Sequence, residues 1–309
     1  MITVLFPHSS SLFESIKLNY TEGLADTSHL VEFKYLSDYS GGVDVYELPV
    51  AYSHSTETCL SYVNIENAYA TINAMKRVFM ETNTLSPAPV NNLNYDILYV
   101  TNSKLSMDIF NSTYENEFDQ SKLTIPIGHV IPKQSCNLYL NNYPIWSWST
   151  ITNIPSKNIV WVGMISGDKG SVYSEFISYC KSNNITPTVV SKKITPPDLG
   201  WNIDYVPFVP NDELPQFLTQ FEYGVGVGRS YLDMAVLGLK VINAGVNKGD
   251  QTTEFNIQNK IYENFATHQY PTSKSFDELV GDAVSIRDLI MSELPKTRFQ
   301  NQFEAIINA

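Results

Sequence analysis

The segment that decides the fold is YGVGVGRSYLDMAVLGLKVINAG, which runs from Tyr223 to Gly245. A short apolar run is broken at Gly226 and Gly228, a helical stretch begins at Arg229, and a second apolar run follows Gly238. We predict a strand, a tight turn, a helix and a second strand. Glycines allow the backbone to approach a ligand closely, and a helix N-terminus offers N–H groups with partial positive charge. The turn therefore predicts a diphosphate-binding site.

The rest of the C-terminal half alternates between strands and helices in the same way. Apolar strands are predicted at 158–162, 188–191 and 203–208. One intervening helix has an apolar face made of Val172, Phe176, Ile177 and Cys180. A second intervening helix has an apolar side made of Leu214, Phe217, Leu218 and Phe221. This alternation predicts a parallel sheet covered by helices.

Two further helices are predicted near the C-terminus. The spacing Ser275-x-x-Glu278 is a capping-box pattern, and the helix that it begins is expected to reach Met291. A last amphipathic helix is predicted from the spacing of Phe299, Phe303 and Ile307.

The N-terminal half shows the α/β pattern less regularly. Buried strands are predicted at Ile2–Phe6 and Tyr95–Thr101, with a short helix at 104–110. Further strands are expected at 43–50 and 122–127. Helical spacing predicts one more helix, through Ile65, Ala68, Tyr69, Ile72, Met75 and Phe79.

These patterns predict two domains in a chain of 309 residues. The N-terminal domain spans 1–135, and the C-terminal domain spans 157–290. The linker at 136–156 is rich in Pro, Ser and Trp and is expected to pack through Trp146 and Trp148. The last segment, 291–309, is predicted to be a helix. This helix either stays with the C-terminal domain or crosses back to the N-terminal domain.

Composition indicates a folded protein of the cytoplasm. Hydrophobic residues make up 43% and charged residues 17% of the chain, values typical of globular proteins. No apolar run approaches the roughly 20 residues that span a bilayer, and the N-terminus has no signal-peptide pattern. Three scattered cysteines favour reduced thiols. A net charge of -12 argues against a wide nucleic-acid-binding surface.

Several stretches resemble, in order, the motifs of GT-B glycosyltransferases. Three of them lie in the C-terminal half: VGMISGDKG at 162–170, YVPFVPNDELPQFL at 205–218 and GRSYLDMAVLGLKVI at 228–242. Two lie in the N-terminal half: YDILYVTNS at 95–103 and KLTIPIGHVIP at 122–132. The resemblance implies an α/β fold of two Rossmann-like domains whose parallel sheets face each other across a cleft. It also implies a nucleoside-diphosphate sugar as the donor.

The chain departs from the motif of the retaining members of that family. They carry two glutamates separated by seven residues, and the matching positions here are Val225 and Asp233. The arginine of the family's first loop is replaced by Met164. The resemblance therefore implies a divergent member, and inversion and retention both stay open.

Five residues are candidates for the donor site: Lys169, Gly228, Arg229, Ser230 and Asp233. The guanidinium fork of Arg229 suits two phosphate oxygens, although a surface salt bridge is the simpler alternative. By resemblance Asp233 holds the ribose hydroxyls, but Ser230-x-x-Asp233 is also a capping-box spacing. Lys169 is either a second phosphate-binding cation or a solvated turn residue.

No Asp-x-Asp motif is present, so we expect a metal-independent enzyme without a cofactor, in which cations and helix ends stabilise the leaving diphosphate. A general base must deprotonate the acceptor hydroxyl. The candidates are His8, in the loop after the first strand, and His54, with Asp38 as an alternative.

The predicted activity is transfer of a sugar, as by a hexosyltransferase, from a nucleotide sugar to an acceptor hydroxyl. UDP is the nucleotide that we expect by resemblance, and the acceptor is a glycan, a small molecule or modified DNA. Three alternatives stay open: a transferase that modifies DNA bases, a nucleotide-sugar epimerase, and a non-catalytic sugar-nucleotide-binding module. The oligomeric state is not predicted.

Overall fold

The protein is described from a computed structural model. The model describes residues 2–6, 11–35, 46–47, 76–81, 97–114, 138–165, 169–191, 199–245, 249–265 and 274–308. The predicted strand at 122–127 lies outside these ranges. The chain divides into two compact units, one formed by 1–141 with 297–309 and the other by 142–296. Across the described ranges, every helix is too short or too polar to span a bilayer.

The first unit contains a six-stranded sheet with the order β2-β1-β3-β4-β5-β6, in which every pair of neighbours is parallel. Its strands are β1 Ile2–Phe6, β2 Val31–Tyr35, β3 Tyr46–Glu47, β4 Lys76–Glu81, β5 Ile97–Thr101 and β6 Leu138–Tyr139. Its first two helices are α1 Ser11–Leu24 and α2 Lys104–Tyr114. The predicted strand at Ile2–Phe6 and the helix at 104–110 are confirmed. The predicted strand at Tyr95–Thr101 is confirmed over Ile97–Thr101, and its first two residues lie outside the described ranges.

One predicted helix of this unit is wrong over its last turn. The sequence pattern predicts that Phe79 is helical, but Phe79 lies in β4, where it pairs with Tyr99 of β5. The apolar run Val78-Phe79-Met80 is typical of a buried parallel strand, and it overrides the helical spacing. The earlier part of that helix, 65–75, lies outside the described residues.

The C-terminal helix α9, Lys296–Asn308, packs within the first unit. The ring of Tyr20 on α1 meets the rings of Phe299 and Phe303 edge to face, at 5.5 and 5.7 Å between centroids. Glu304 pairs with His29 at 2.5 Å. The third buried apolar residue of α9 is Ile306, whereas the sequence pattern placed Ile307 on this face.

The second unit contains a five-stranded parallel sheet with the order β11-β10-β7-β8-β9. Its strands are β7 Lys157–Val162, β8 Thr188–Val190, β9 Asp204–Val206, β10 Phe221–Gly226 and β11 Lys240–Asn243. Its helices are α3 Gly170–Ser182, α4 Leu214–Leu218, α5 Arg229–Val236, α6 Ile257–Tyr262, α7 Phe276–Asp282 and α8 Arg287–Glu293. All five predicted strands are confirmed, and so is the mixed α/β class.

A buried apolar core lies between this sheet and its helices. Trp161 of β7 meets Tyr173 of α3 edge to face at 5.2 Å and packs beside Phe176. The predicted apolar face of α3 is buried. Phe221 is also buried, but it begins β10 and does not extend α4 as the pattern indicated.

The helix predicted to begin at Ser275 starts as expected but is shorter than predicted. The capping box of Ser275 and Glu278 is formed, which confirms the start of α7. The predicted continuous helix is wrong, because α7 ends at Asp282 and α8 begins at Arg287. Ser285 lies between them and bridges Lys240 of β11, so this sheet contact replaces a helical turn.

The segment expected to be the linker is ordered around its tryptophans. Trp146 and Trp148 lie in a 3-10 helix, Trp146–Thr150, and both are buried. The indole Nε1 of Trp146 donates to the carbonyl of Leu294 at 2.9 Å. This bond ties the segment to the end of α8.

Candidate functional site

The candidate site lies where the strand order of the second sheet reverses. From β7 the chain moves to β8 and β9 on one side, and then returns to β10 and β11 on the other. In parallel α/β sheets, ligands bind outside the carboxyl ends of the strands at such a switch point. Here those ends are Val162 and Gly226, and they are adjacent: a Cβ at Gly226 would lie 3.3 Å from the Val162 carbonyl.

Two glycines of β10 serve packing within the protein. A Cβ at Gly224 would lie 2.6 Å from Sδ of Met234, and one at Gly226 would lie 2.7 Å from Cε of the same side chain. Met234 belongs to α5, so these glycines let the helix lie closely on its strand. The glycine pattern at 224 and 226 therefore reflects close packing of the helix on the strand.

Gly228 begins α5 in a conformation that favours glycine. Its φ is 58° and its ψ is -122°. Its N–H donates to the carbonyl of Phe265 at 2.6 Å, and its own carbonyl accepts from the N–H of Leu232 at 3.2 Å. The N–H groups of the next three residues have no acceptor within the helix, as in any first turn. These N–H groups lie at the N-terminal end of the helix, which carries partial positive charge.

Arg229 and Asp233 form a nearly buried ion pair on this helix. Nε of Arg229 donates to the two carboxylate oxygens of Asp233, at 3.0 and 3.2 Å. The side chains are only 10% and 6% exposed. The capping-box alternative for Ser230 and Asp233 is wrong, because the N-cap is Gly228 and no side chain caps the helix. A surface salt bridge is also excluded by this burial.

The position of Arg229 is unfavourable for the helix itself. A cation near a helix N-terminus opposes the helix dipole, by about 0.3–1 kcal/mol at an exposed site. The other end of α5 shows the favourable arrangement, since Nη2 of Arg287 donates to the Leu237 carbonyl at 2.7 Å. Dipole stabilisation therefore explains Arg287 but does not explain Arg229.

Lys169 occupies the corresponding place on the neighbouring strand. It is the N-cap residue of α3, the helix that follows β7, and its side chain makes no capping hydrogen bond. Because β7 and β10 are adjacent and parallel, the structure brings the first turns of α3 and α5 to the same edge of the sheet. Each of these helices has a cation at its N-terminal end, which is the end that attracts anions.

Sequence reasoning missed the asparagines that surround Gly228. The backbone N–H of Asn142 donates to Oδ1 of Asn264 at 2.6 Å, and Nδ2 of Asn142 would lie 3.7 Å from a Cβ at Gly228. Asn264 and Phe265 both have positive φ, at 58° and 56°. Asparagine tolerates this conformation better than most residues, but only the tertiary hydrogen bond with Asn142 reveals the place of Asn264.

Buried polar groups support the strand beside the site. Asn243 ends β11, and its Nδ2 donates to the Phe265 carbonyl at 3.1 Å. The backbone of Asn243 also bridges Asp250, whose carboxylate pairs with the buried ammonium of Lys260. No group of three or more His, Cys, Asp or Glu side chains suited to a metal ion occurs within the described ranges.

The tyrosine on α5 is structural. The hydroxyl of Tyr231 donates to Oγ1 of Thr252 at 2.8 Å, and its ring stacks on Phe265. Burial raises the pKa of Tyr231 well above its usual 10. The phenol therefore stays protonated at neutral pH and does not act as a general base.

Both histidines predicted as catalytic bases, His8 and His54, lie outside the described residues, as does Asp38. The described strand β1 ends at Phe6, two residues before His8, and it lies between β2 and β3. This is the point where the order of the first sheet reverses.

A separate depression of about 440 Å³ lies in the first unit, between β6 and α9. Tyr139, Arg298 and Asn301 contribute to its lining. Gln302, also in the lining, is bonded through Nε2 to Oδ1 of Asn141 at 3.1 Å. None of the predicted site residues lines this depression.

Comparisons with known proteins find similarity only at the level of structure. No protein-family profile matches the chain, and no curated protein matches its sequence. One similar structure is AviGT4, a glycosyltransferase involved in avilamycin A biosynthesis, with a TM-score of 0.49 and 11% identity over 100% of this chain and 99% of that chain. Another is the E. coli heptosyltransferase WaaC with ADP, with a TM-score of 0.33 and 11% identity over 78% and 86% of the two chains.

Proposed function

We propose that the protein is a metal-independent glycosyltransferase of the GT-B type that uses a nucleoside-diphosphate sugar as donor. The observation that carries the proposal is the nearly buried Arg229–Asp233 pair at the N-terminus of α5, at the switch point of the sheet. The helix dipole does not explain an arginine at this end of a helix, which is the end that attracts anions such as phosphate.

The diphosphate is proposed to bind to the first turn of α5. The backbone N–H groups after Gly228 and the Ser230 hydroxyl donate to phosphate oxygens, and Arg229 supplies charge. Lys169, at the start of α3, is the second cation. Such charge-assisted bonds each contribute about 1.5–3 kcal/mol.

The chemical step breaks the bond between the anomeric carbon of the sugar and the phosphate oxygen. The electron pair leaves with the nucleoside diphosphate, and Arg229, Lys169 and the helix N-termini stabilise the charge that develops. An acceptor oxygen forms the new bond to the anomeric carbon, and its proton passes to a base. His8 and His54 are the proposed bases, and the acceptor is proposed to bind to the first unit.

The test is release of nucleoside diphosphate from UDP-, GDP- and ADP-sugars in the presence of EDTA, with a panel of glycan and small-molecule acceptors. We expect acceptor-dependent release from one donor class. Release of an epimerised sugar nucleotide without acceptor would instead indicate an epimerase, and binding without turnover would indicate a binding module. If no nucleotide sugar binds or reacts, the proposal is wrong.

The variant Arg229→Gln tests whether activity depends on this site. It removes the positive charge and keeps an N–H donor for Asp233. The matched control is Lys240→Gln, because Lys240 pairs with Glu222 at 2.8 Å at the amino ends of β11 and β10. Those strand ends lie at the opposite edge of the same sheet. Only Arg229→Gln is expected to lose activity.

A further inference from the structure

We infer that the depression between β6 and α9 binds a sugar residue of the acceptor, so that the acceptor is a carbohydrate. The identification of this sugar as the acceptor rests on the proposed function, whereas the depression belongs to the first unit alone. Its volume of about 440 Å³ lies within the range of small-molecule sites, roughly 300–1,000 Å³. It is lined by Leu138 and Tyr139 of β6 and by one face of α9.

The depression lies beside the carboxyl end of the first sheet. Tyr139 pairs with Thr101, which is the last residue of β5, and the strands of this sheet are parallel. In open α/β sheets, ligands bind outside the carboxyl ends of the strands. The depression is therefore at the end of the sheet where a substrate is expected.

Both walls of the depression are held by contacts within the first unit. On the helix side, the rings of Phe299 and Phe303 pack edge to face on Tyr20. Between the walls, Asn141 fixes the amide of Gln302: its backbone N–H donates to Oε1 at 3.3 Å, and its Oδ1 accepts from Nε2 at 3.1 Å. A site that is formed before the ligand arrives loses less conformational entropy on binding.

The side chains that can meet a ligand are uncharged and form hydrogen bonds. Arg298 and Gln302 also line the depression, but both already make contacts within the protein. Among the described residues, the side chains of Tyr139, Thr297 and Asn301 have no hydrogen-bond partner. Hydroxyl and amide groups donate and accept, as sugar hydroxyls do, and the phenol ring offers an apolar face to the C–H groups of a sugar.

The same lining argues against other classes of acceptor. A lipid tail needs a predominantly apolar surface, but Leu138 and Ala305 are the only aliphatic residues among the described lining residues. DNA binding needs several cations that neutralise phosphates, and Arg298 is the one cation among these residues. A neutral, polyhydroxylated ring is the ligand that fits this surface.

The experiment is a ligand-observed NMR titration with the methyl glycosides of glucose, galactose, mannose, N-acetylglucosamine and glucuronic acid. Ala305 lines the depression at an exposed position of α9, so Ala305→Trp fills the depression and leaves the buried face of the helix unchanged. We expect at least one glycoside to bind wild type with a millimolar Kd and to bind Ala305→Trp at least about 10-fold more weakly.

Two further variants complete the comparison. Asn301→Ala removes one hydrogen-bonding amide from the lining and should weaken binding about fivefold. Thr21→Trp is the matched control, because Thr21 is an exposed residue of α1 in the same unit and does not line the depression. It should bind the glycoside as wild type does. Circular dichroism checks the fold of each variant, and Asn301→Ala decides the test if Ala305→Trp does not fold.

The absence of glycoside binding to wild type would overturn the inference, as would equal binding to wild type, Ala305→Trp and Asn301→Ala. Binding of a short DNA duplex that Ala305→Trp abolishes, with no glycoside bound, would overturn it in favour of a DNA acceptor. Calorimetry with UDP, GDP and ADP tests the proposed function separately, and Ala305→Trp should keep the wild-type affinity for the nucleotide that binds. If glycosides bind as predicted but no nucleotide or nucleotide sugar does, the proposed function fails and the depression is a carbohydrate site without transfer.

Discussion

Nε of Arg229 lies 3.0 and 3.2 Å from the two carboxylate oxygens of Asp233, four residues later on α5. The pair joins the first turn of the helix to the second, and both side chains are nearly buried. It therefore fixes a guanidinium at the one end of the helix that repels cations and attracts phosphates.

Arg229→Lys should weaken diphosphate binding although it keeps the positive charge. A lysine ammonium is a point charge that cannot bond Asp233 and also present a planar fork to phosphate. We expect affinity for the bound nucleoside diphosphate to fall about 10-fold, measured by calorimetry. Lys240→Arg is the matched control at the opposite sheet edge. Equal affinity in Arg229→Lys and wild type would show that charge alone suffices.

Gly228→Ala should destabilise the second unit by about 1–3 kcal/mol, because its φ of 58° strains any L side chain. A steric clash is not the cause, since the nearest atom to a new Cβ is Nδ2 of Asn142 at 3.7 Å. The measurement is urea unfolding followed by tryptophan fluorescence. All four tryptophans, Trp146, Trp148, Trp161 and Trp201, belong to the second unit.

Gly281→Ala is the control for this experiment, because a Cβ there meets nothing within 4 Å and Gly281 lies in α7. It should be neutral or stabilising by a few tenths of a kcal/mol to about 1 kcal/mol. If Gly228→Ala and Gly281→Ala have the same unfolding midpoint, the positive φ of Gly228 does not contribute to stability as predicted.

Ser275→Ala should destabilise α7 by about 1 kcal/mol at pH 7, because it removes the N-cap. Hydrogen bonds from Ser275 lower the pKa of Glu278 below its usual 4.5, first that of the backbone N–H and then that of the hydroxyl. The hydroxyl donates to Oε2 of Glu278 at 2.9 Å, and only this second bond is lost in Ser275→Ala. A lowered folded pKa means that this contribution is present above the unfolded pKa and is lost as pH falls through the folded one.

The difference in unfolding midpoint between wild type and Ser275→Ala should therefore shrink as the pH is taken below about 4.5. Ser292→Ala on α8 serves as control, since its hydroxyl donates to the Leu289 carbonyl and caps nothing. A difference that grows on acidification would contradict the capping assignment.

Cys180 should resist alkylation in the folded protein. It is fully buried in the core of the second unit, and burial raises the pKa of its thiol to about 12. Since the thiolate is the reactive form, iodoacetamide at pH 8 should label it only after unfolding. Peptide mass spectrometry with and without denaturant gives the measurement. Labelling at the same rate in both conditions would place Cys180 outside the core.

The sequence predicted the strand–turn–helix–strand of 223–245 because its pattern is local. Apolar β-branched runs, a glycine turn and helical spacing all indicate the same structure there. The local sequence does not predict the strand order that places this turn at a switch point, because the order depends on which distant strands pair. The parallel sheet was predictable from alternation, but only the strand order brings the helices that begin at Lys169 and Arg229 to neighbouring strands.

The misassigned elements have specific physical causes. Phe79 continued a helical spacing, but an uninterrupted run of three apolar residues is also typical of a strand in a parallel sheet. Helix propensity did not reveal the break at Ser285, where a bridge to Lys240 competes with a helical turn. Tertiary contacts override local preference at both places.

Within the candidate site, residue types were predictable and partners were not. Arg229 and Asp233 stood out in the sequence, but their pairing depended on the helix starting at Gly228 and not at Ser230. The contribution of Asn264 and Phe265 had no local signal, because non-glycine residues with positive φ are set by what they pack against.

The most direct test of the central claim is calorimetric titration of wild type and Arg229→Gln with UDP, GDP and ADP. The account predicts saturable binding of at least one nucleoside diphosphate to wild type, and about 10- to 100-fold weaker binding to Arg229→Gln. No binding of any of the three, or equal affinity in the two proteins, would contradict a diphosphate site at the N-terminus of α5.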